Sequence, residues 1–269
     1  MSEVTRGAAD PFARLRAMTS ARVGLGRAGA GLLTADLLAF QRDHALARDA
    51  VKAPYDPRAV AAALAPWPTV TVSSQAPDRA VYLRRPDLGR RLDPASAAGL
   101  ASGDWDLAIV IADGLCAPAV HAHAAPVALR LLEPLADWRI APVVLARLGR
   151  VALGDEIGER LGARMVLVLI GERPGLGAPD SLGAYLTWAP AVGRLDSERN
   201  CVSNIRPSHG LSHAAASDTL ARLIHAARER RLTGVGLKDE RGAGECIPPP
   251  AHRPRAVEDG LSARRRDVQ

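Results

Sequence analysis

Residues 165–177, MVLVLIGERPGLG, decide how this chain folds. From Met165 to Ile170 every side chain is Met, Val, Leu or Ile with no polar alternation, the pattern of a strand covered on both faces. The run stops at Gly171. Gly171, Gly175 and Gly177 free the backbone, Pro174 restrains it, and Glu172 with Arg173 places opposite charges where a parallel strand delivers its carboxyl end to a ligand. Read alone, residues 171–177 fit an ordinary strand-ending turn as well as a binding loop.

Upstream of this stretch the same signal repeats. TVTVSS and AVYL read as short strands and residues 94–100 as a short helix, followed by a continuous apolar strand over residues 107–112 ending in Asp113-Gly114. A helix follows over residues 117–135, then IAPVVLARL as a strand with a break and VALGDEIGERLG as a helix. Strands separated by helices imply right-handed crossovers and a mostly parallel sheet. The expected fold class is therefore α/β, a Rossmann-like mostly parallel sheet, with Asp113, Val151 and Glu172 near its carboxyl edge. Beyond the Gly-rich loop, SLGAYLTWAP reads as another strand, RNCVSNI (199–205) as a polar turn, and residues 212–231 as the last helix.

The first part of the chain differs in character. Asp10-Pro11 carries cap and first-turn signals for a short helix, and TADLLAFQRDHALARDAV (34–51) has helical spacing with few large apolar side chains. Such a helix needs a partner outside itself. The expected organisation is a small helical N-terminal domain over 1–66, the sheet domain over 67–237, and a tail over 238–269 whose Pro, Gly and mixed charges lack periodicity.

Several functions are disfavoured. The chain has 269 residues, a formal net charge of +6, four Trp, three Tyr and two Phe; its arginines are scattered among acids, which argues against a nucleic-acid track. No apolar run is long enough to span a bilayer, and MSEVTRGAAD lacks the order of a signal peptide. Cys116, Cys201 and Cys246 form no CxxC pair, so neither a disulfide framework nor a zinc knuckle is expected, and a reducing compartment is. Gly24, Gly26 and Gly29 have GxGxxG spacing but no adequate strand before them and no second strand bearing an acid for a ribose, so a dinucleotide site is rejected. No GxSxG or Walker Lys-Ser/Thr occurs. His121 and His123, two apart on a helix, point to different sides. His209 and His213 are four apart, but Pro207 and Gly210 interrupt the helix and no HExxH is present. No catalytic set is visible.

The segments DPFARLRAMTSARVGLGRAGAGL, LLAFQRDHALARDAV, VALGDEIG, LVLIGERPGLG and RNCVSNI, in this order, resemble the small (light) subunit of ethanolamine ammonia-lyase over about residues 10–237. That resemblance implies an adenosylcobalamin enzyme converting ethanolamine to acetaldehyde and ammonia. The chain would pair with a larger barrel-shaped subunit that holds the substrate, and would itself cap the cofactor through Val151, Glu172 and Cys201. The 1–66 arm would then contact the large subunit. A DxHxxG loop does not occur, so this chain is expected to give cobalt no axial histidine. The implied location is the bacterial cytoplasm, with a bacterial microcompartment also open because residues 1–20 are short and weakly amphipathic. A regulatory module of the same fold without a cofactor is the alternative function.

Overall fold

A computed structural model describes residues 12–19 and 21–238. The expected cap at Asp10-Pro11, Cys246 and the tail after Lys238 lie outside them. The chain begins with α1 (Ala13–Met18) and a hairpin of β1 (Arg27–Ala28) and β2 (Gly31–Leu32). The glycines of the GxGxxG spacing thus lead into a hairpin turn, with Gly24 and Gly29 at positive φ, and not from a strand into a helix. Next come α2 (Thr34–Lys52) and α3 (Pro57–Leu64). Asp56 starts α3 by accepting the backbone N–H groups of Arg58 and Ala59, with Pro57 at the first turn.

The rest of the described chain builds one six-stranded sheet. In chain order it contains β3 (Thr69–Ser73), α4 (Arg79–Arg84), α5 (Pro94–Ala98), β4 (Trp105–Ala112), α6 (Ala117–Leu132), β5 (Val143–Arg147), α7 (Leu153–Leu161), β6 (Ala163–Gly171), β7 (Leu182–Trp188), β8 (Arg199–Ile205) and α8 (His213–Arg230). The spatial order is β3-β5-β4-β6-β7-β8. The first four strands run parallel, whereas β7 and β8 add antiparallel. The expected mostly parallel α/β sheet is present.

Two apolar layers explain why the central strands carry no polar alternation. Leu107, Ile109, Ile111, Met165, Leu167 and Leu169 point to one face, under α3, α6 and α8. Their even-numbered neighbours Ala108, Val110, Val166 and Val168 point to the other, under Leu153, Ile157 and Leu161 of α7. Period-2 geometry sends both sets to protein instead of water, and each fully buried large side chain stabilises the fold by roughly 1.5–3 kcal/mol. Val60 and Leu64 of α3 join the first layer, whereas α1 and α2 contain no fully buried residue.

Two local expectations are corrected. AVYL is not a strand but lies in α4, because Asp78 accepts the N–H of Val81 and caps a helical turn that buries Tyr82. RNCVSNI is not a turn but strand β8, paired with β7. Its polar residues mark an edge strand whose Val202 and Ile205 face the core while Cys201, Ser203 and Asn204 remain exposed. The expected break in IAPVVLARL is real: Ile140 bridges Leu107, and the continuous strand begins at Val143 after Pro142.

Candidate functional site

The helix after β4 covers one face and the helix after β5 the other, so the crossovers diverge at the carboxyl ends of these strands. An open cleft forms at such a point. Here it measures about 420 Å³ and receives Gly114 and Leu115 from the end of β4, Arg150 and Val151 from the end of β5, and Gly171, Glu172 and Arg173 from the end of β6. Tyr82 and Tyr185 complete its wall.

Close backbone approach shapes the floor. Leu115 N–H donates to the Gly171 carbonyl at 2.9 Å. A Cβ on Gly171 would lie 2.6 Å from the Asp113 carbonyl oxygen and overlap that of Cys116. Gly114 has φ +54, and a Cβ there would overlap the Gly171 carbonyl. Only glycine meets both requirements.

Glu172 sits at the mouth with its backbone N–H bound to the Ser181 carbonyl at 3.0 Å, which closes the loop back on itself. Its carboxylate accepts the N–H of Asn204 in β8 at 3.2 Å. A carboxylate has further lone pairs to offer a ligand donor. Arg206 secures the same loop from below by donating to the Gly177 carbonyl at 2.8 Å.

Behind the wall lies a stack of charged and aromatic side chains. Tyr82 is fully buried, donates its hydroxyl to the Gly149 carbonyl at 2.9 Å, and has Arg79 and Arg150 over its ring at 5.0 and 4.4 Å. Burial pushes its hydroxyl pKa up. Asp113 does not line the cleft. It is buried, accepts Gly149 N–H at 3.2 Å and pairs with Arg79 at 3.3 Å, thereby holding the ends of β4 and β5 together. Burial raises its carboxyl to about 6 against the opposing pull of Arg79.

The structure brings Val151 and Glu172 into one cleft. Cys201 is not part of the lining. It stands opposite Tyr185 across the β7–β8 ladder, so it neighbours the cleft through the strand that carries that tyrosine. Although Cys201 is exposed overall, local desolvation pushes its thiol up, away from thiolate character. The residues missed from sequence are Tyr82, Tyr185, Arg150 and Gly114. Tyrosine is rare in this chain, and two of its three tyrosines line the cleft; that rarity was the available signal.

The histidines pair differently from their sequence spacing. His213 meets His123, not His209, with ring nitrogens 3.0 Å apart, and the other nitrogen of His123 lies 3.1 Å from the Asp180 carbonyl. His121 instead accepts the backbone N–H of Asp56 and stacks on Tyr55. Among the described residues no group of three or more His, Cys, Asp or Glu is placed to hold a metal ion, and no helix is long and apolar enough to cross a membrane.

Fold and cleft together define an α/β protein with an open cleft at the carboxyl edge of a mostly parallel sheet. Comparison with known proteins makes the class specific. The family described as Ethanolamine ammonia-lyase light chain (EutC) matches residues 9–238. Similar proteins include the ethanolamine ammonia-lyase small subunits of Azotobacter vinelandii, 52% identical over 89% of this chain and 92% of that protein, and of Pseudomonas syringae pv. tomato, 50% identical over 89% and 88%. That of Ralstonia nicotianae is 52% identical over 86% and 88%. The chain belongs to the ethanolamine ammonia-lyase light chain family.

Proposed function

We propose that this chain is the small subunit of an adenosylcobalamin-dependent ethanolamine ammonia-lyase and grips the cobalamin against a large catalytic subunit in the conversion of ethanolamine to acetaldehyde and ammonia. One observation carries the cofactor reading: Val151 and Glu172, brought from the ends of two different strands, line one cleft, and Cys201 is the cross-strand partner of Tyr185 in its wall. The lining fits an edge of a corrin fringed with primary amides. Glu172 offers a carboxylate acceptor to amide N–H groups, while Val151 and Leu115 offer apolar cover.

The size of the cleft sets the division of labour. Pockets of roughly 300–1,000 Å³ enclose drug-sized ligands, and cobalamin is larger than these. A cleft of about 420 Å³ therefore takes one part of it and leaves the rest to a partner. When bound, the cofactor supplies a cobalt–carbon bond that breaks homolytically. This chain's residues bind, orient and exclude water. Glu172 fixes the rim, Gly114 and Gly171 let backbone approach closely, and Tyr82 with Arg150 backs the wall.

The proposed organisation assigns residues 1–66 to contact with the large subunit and residues 67–237 to the cofactor. In support, Leu37, Leu38, Phe40 and Leu46 of α2 are exposed, apolar side chains that a partner surface would cover. The proposed location is the bacterial cytoplasm, free or within a microcompartment.

The test is equilibrium titration of the co-purified two-subunit complex with cobalamin. Glu172→Ala is expected to weaken binding about tenfold, the effect of one charge-assisted hydrogen bond, while kcat at saturating cobalamin changes little. A large fall in kcat at unchanged affinity would overturn the role given to Glu172. A chain that remains a stable monomer and binds no cobalamin even with its partner would instead be a regulatory module.

A further inference from the structure

Beside the cleft lies a second recess of about 330 Å³, sharing Arg150, Val151 and Tyr185 with it and lined further by Pro86, Arg90 and Arg194. Arg199 and Asp196 also reach this recess. Its charges do not balance. Arg199 is satisfied by Asp155, at 2.5 and 2.7 Å, and by Asp196 at 3.3 Å. Arg194 is paired with Glu198 at 2.5 Å. Arg90 and Arg150 have no carboxylate partner among the described residues, and the Nε of Arg150 is buried without a hydrogen-bond acceptor.

These two arginines are held in position. The N–H of Arg150 donates to the Gly89 carbonyl at 2.8 Å, which ties the end of β5 to the 3₁₀ turn Leu88–Arg90. Arg150 is further packed over Tyr82. A buried guanidinium nitrogen without an acceptor is costly unless a ligand supplies one. Guanidinium forks match phosphate oxygens in shape and charge.

We infer that this recess is an anion subsite in which Arg90 and Arg150 hold the phosphodiester of the ligand seated in the adjoining cleft. The inference rests on the cobalamin reading above, since the nucleotide tail of cobalamin carries one phosphodiester. Arg150 stands at the junction of cleft and recess, so the corrin edge and the phosphate are gripped by one continuous surface.

The experiment compares two corrinoids on the intact two-subunit complex: cobalamin, and cobinamide, which keeps the corrin but lacks the phosphodiester and base. Dissociation constants are read for the wild type, Arg90→Gln and Arg150→Gln. The expected result is a loss of about tenfold or more for cobalamin in each variant, with cobinamide unaffected by Arg90→Gln. Inorganic phosphate should compete with cobalamin and leave cobinamide binding unchanged. Arg150 packs on a buried ring and its variant can fail to assemble; Arg90 is exposed, so its variant decides the matter alone. Equal losses for both corrinoids, or no loss for either, overturn the subsite while leaving the Glu172 reading intact. A wild-type complex that binds neither corrinoid overturns both.

Discussion

At the scale of single residues, the cleft depends on two glycines whose backbones touch. Gly114 combines a positive φ with contact against the Gly171 carbonyl, so its replacement is disfavoured both by conformation and by space. Gly114→Ala is expected to destabilise the protein by about 1–3 kcal/mol, measured as a shift of the denaturant midpoint. Unchanged stability would mean that the β4 and β6 ends can separate freely. Glu172 was legible because a charged residue follows directly on a buried strand and begins a Gly-rich loop. Tyr82 and Tyr185 were not, since nothing local ties a buried tyrosine on α4 to one on β7. In the sequence Arg150 is one arginine among many, and only its packing on Tyr82 distinguishes it.

Among the elements, α6 and α8 are joined by the His123–His213 contact, which also reaches the loop between β6 and β7. The bond from His123 Nε2–H to the Asp180 carbonyl leaves Nδ1 bare to accept from His213 Nε2–H. The His123 ring must therefore be neutral. Burial holds both pKa values below the ordinary range; for His123 the neighbouring His213 and Arg206 add to this and Asp180 opposes it. A depressed folded-state pKa means that the unfolded chain takes up the proton more readily. This contribution to stability is thus complete above about pH 6.5 and is lost as pH falls through the lower folded-state values. His123→Gln can keep one donor and one acceptor without titrating. Its denaturation midpoint should fall less than that of the wild type between pH 7 and pH 5; parallel curves would remove His123 from the acid response. Element types were legible where burial gave a long, clear pattern, as in β4 and β6. They were misread in α4, where capping by Asp78 prevailed over an apolar tetrapeptide, and in β8, where an edge strand carries the polar residues expected of a turn.

For the whole molecule, the sheet carries its own two-sided core, while α2 holds apolar side chains in solvent, Leu38 at 58% and Leu46 at 51% exposure. Leu38→Glu should change folding stability by no more than about 0.5 kcal/mol but weaken assembly with the large subunit tenfold or more, read by sedimentation of the co-expressed chains. Assembly at wild-type affinity would remove this face of α2 from the interface. The sequence by itself determined that central strands are covered on both faces, because a strand without polar alternation has no side to show to water. It also determined where those strands end, because glycine, proline and charge interrupt them. Only the tertiary structure decided which strand ends meet, seating β5 between β3 and β4 and bringing Tyr82, Arg150 and Tyr185 around Glu172. Side-chain periodicity is a local property of the chain, whereas strand order is set by packing between segments far apart in sequence, and no single stretch carries that information.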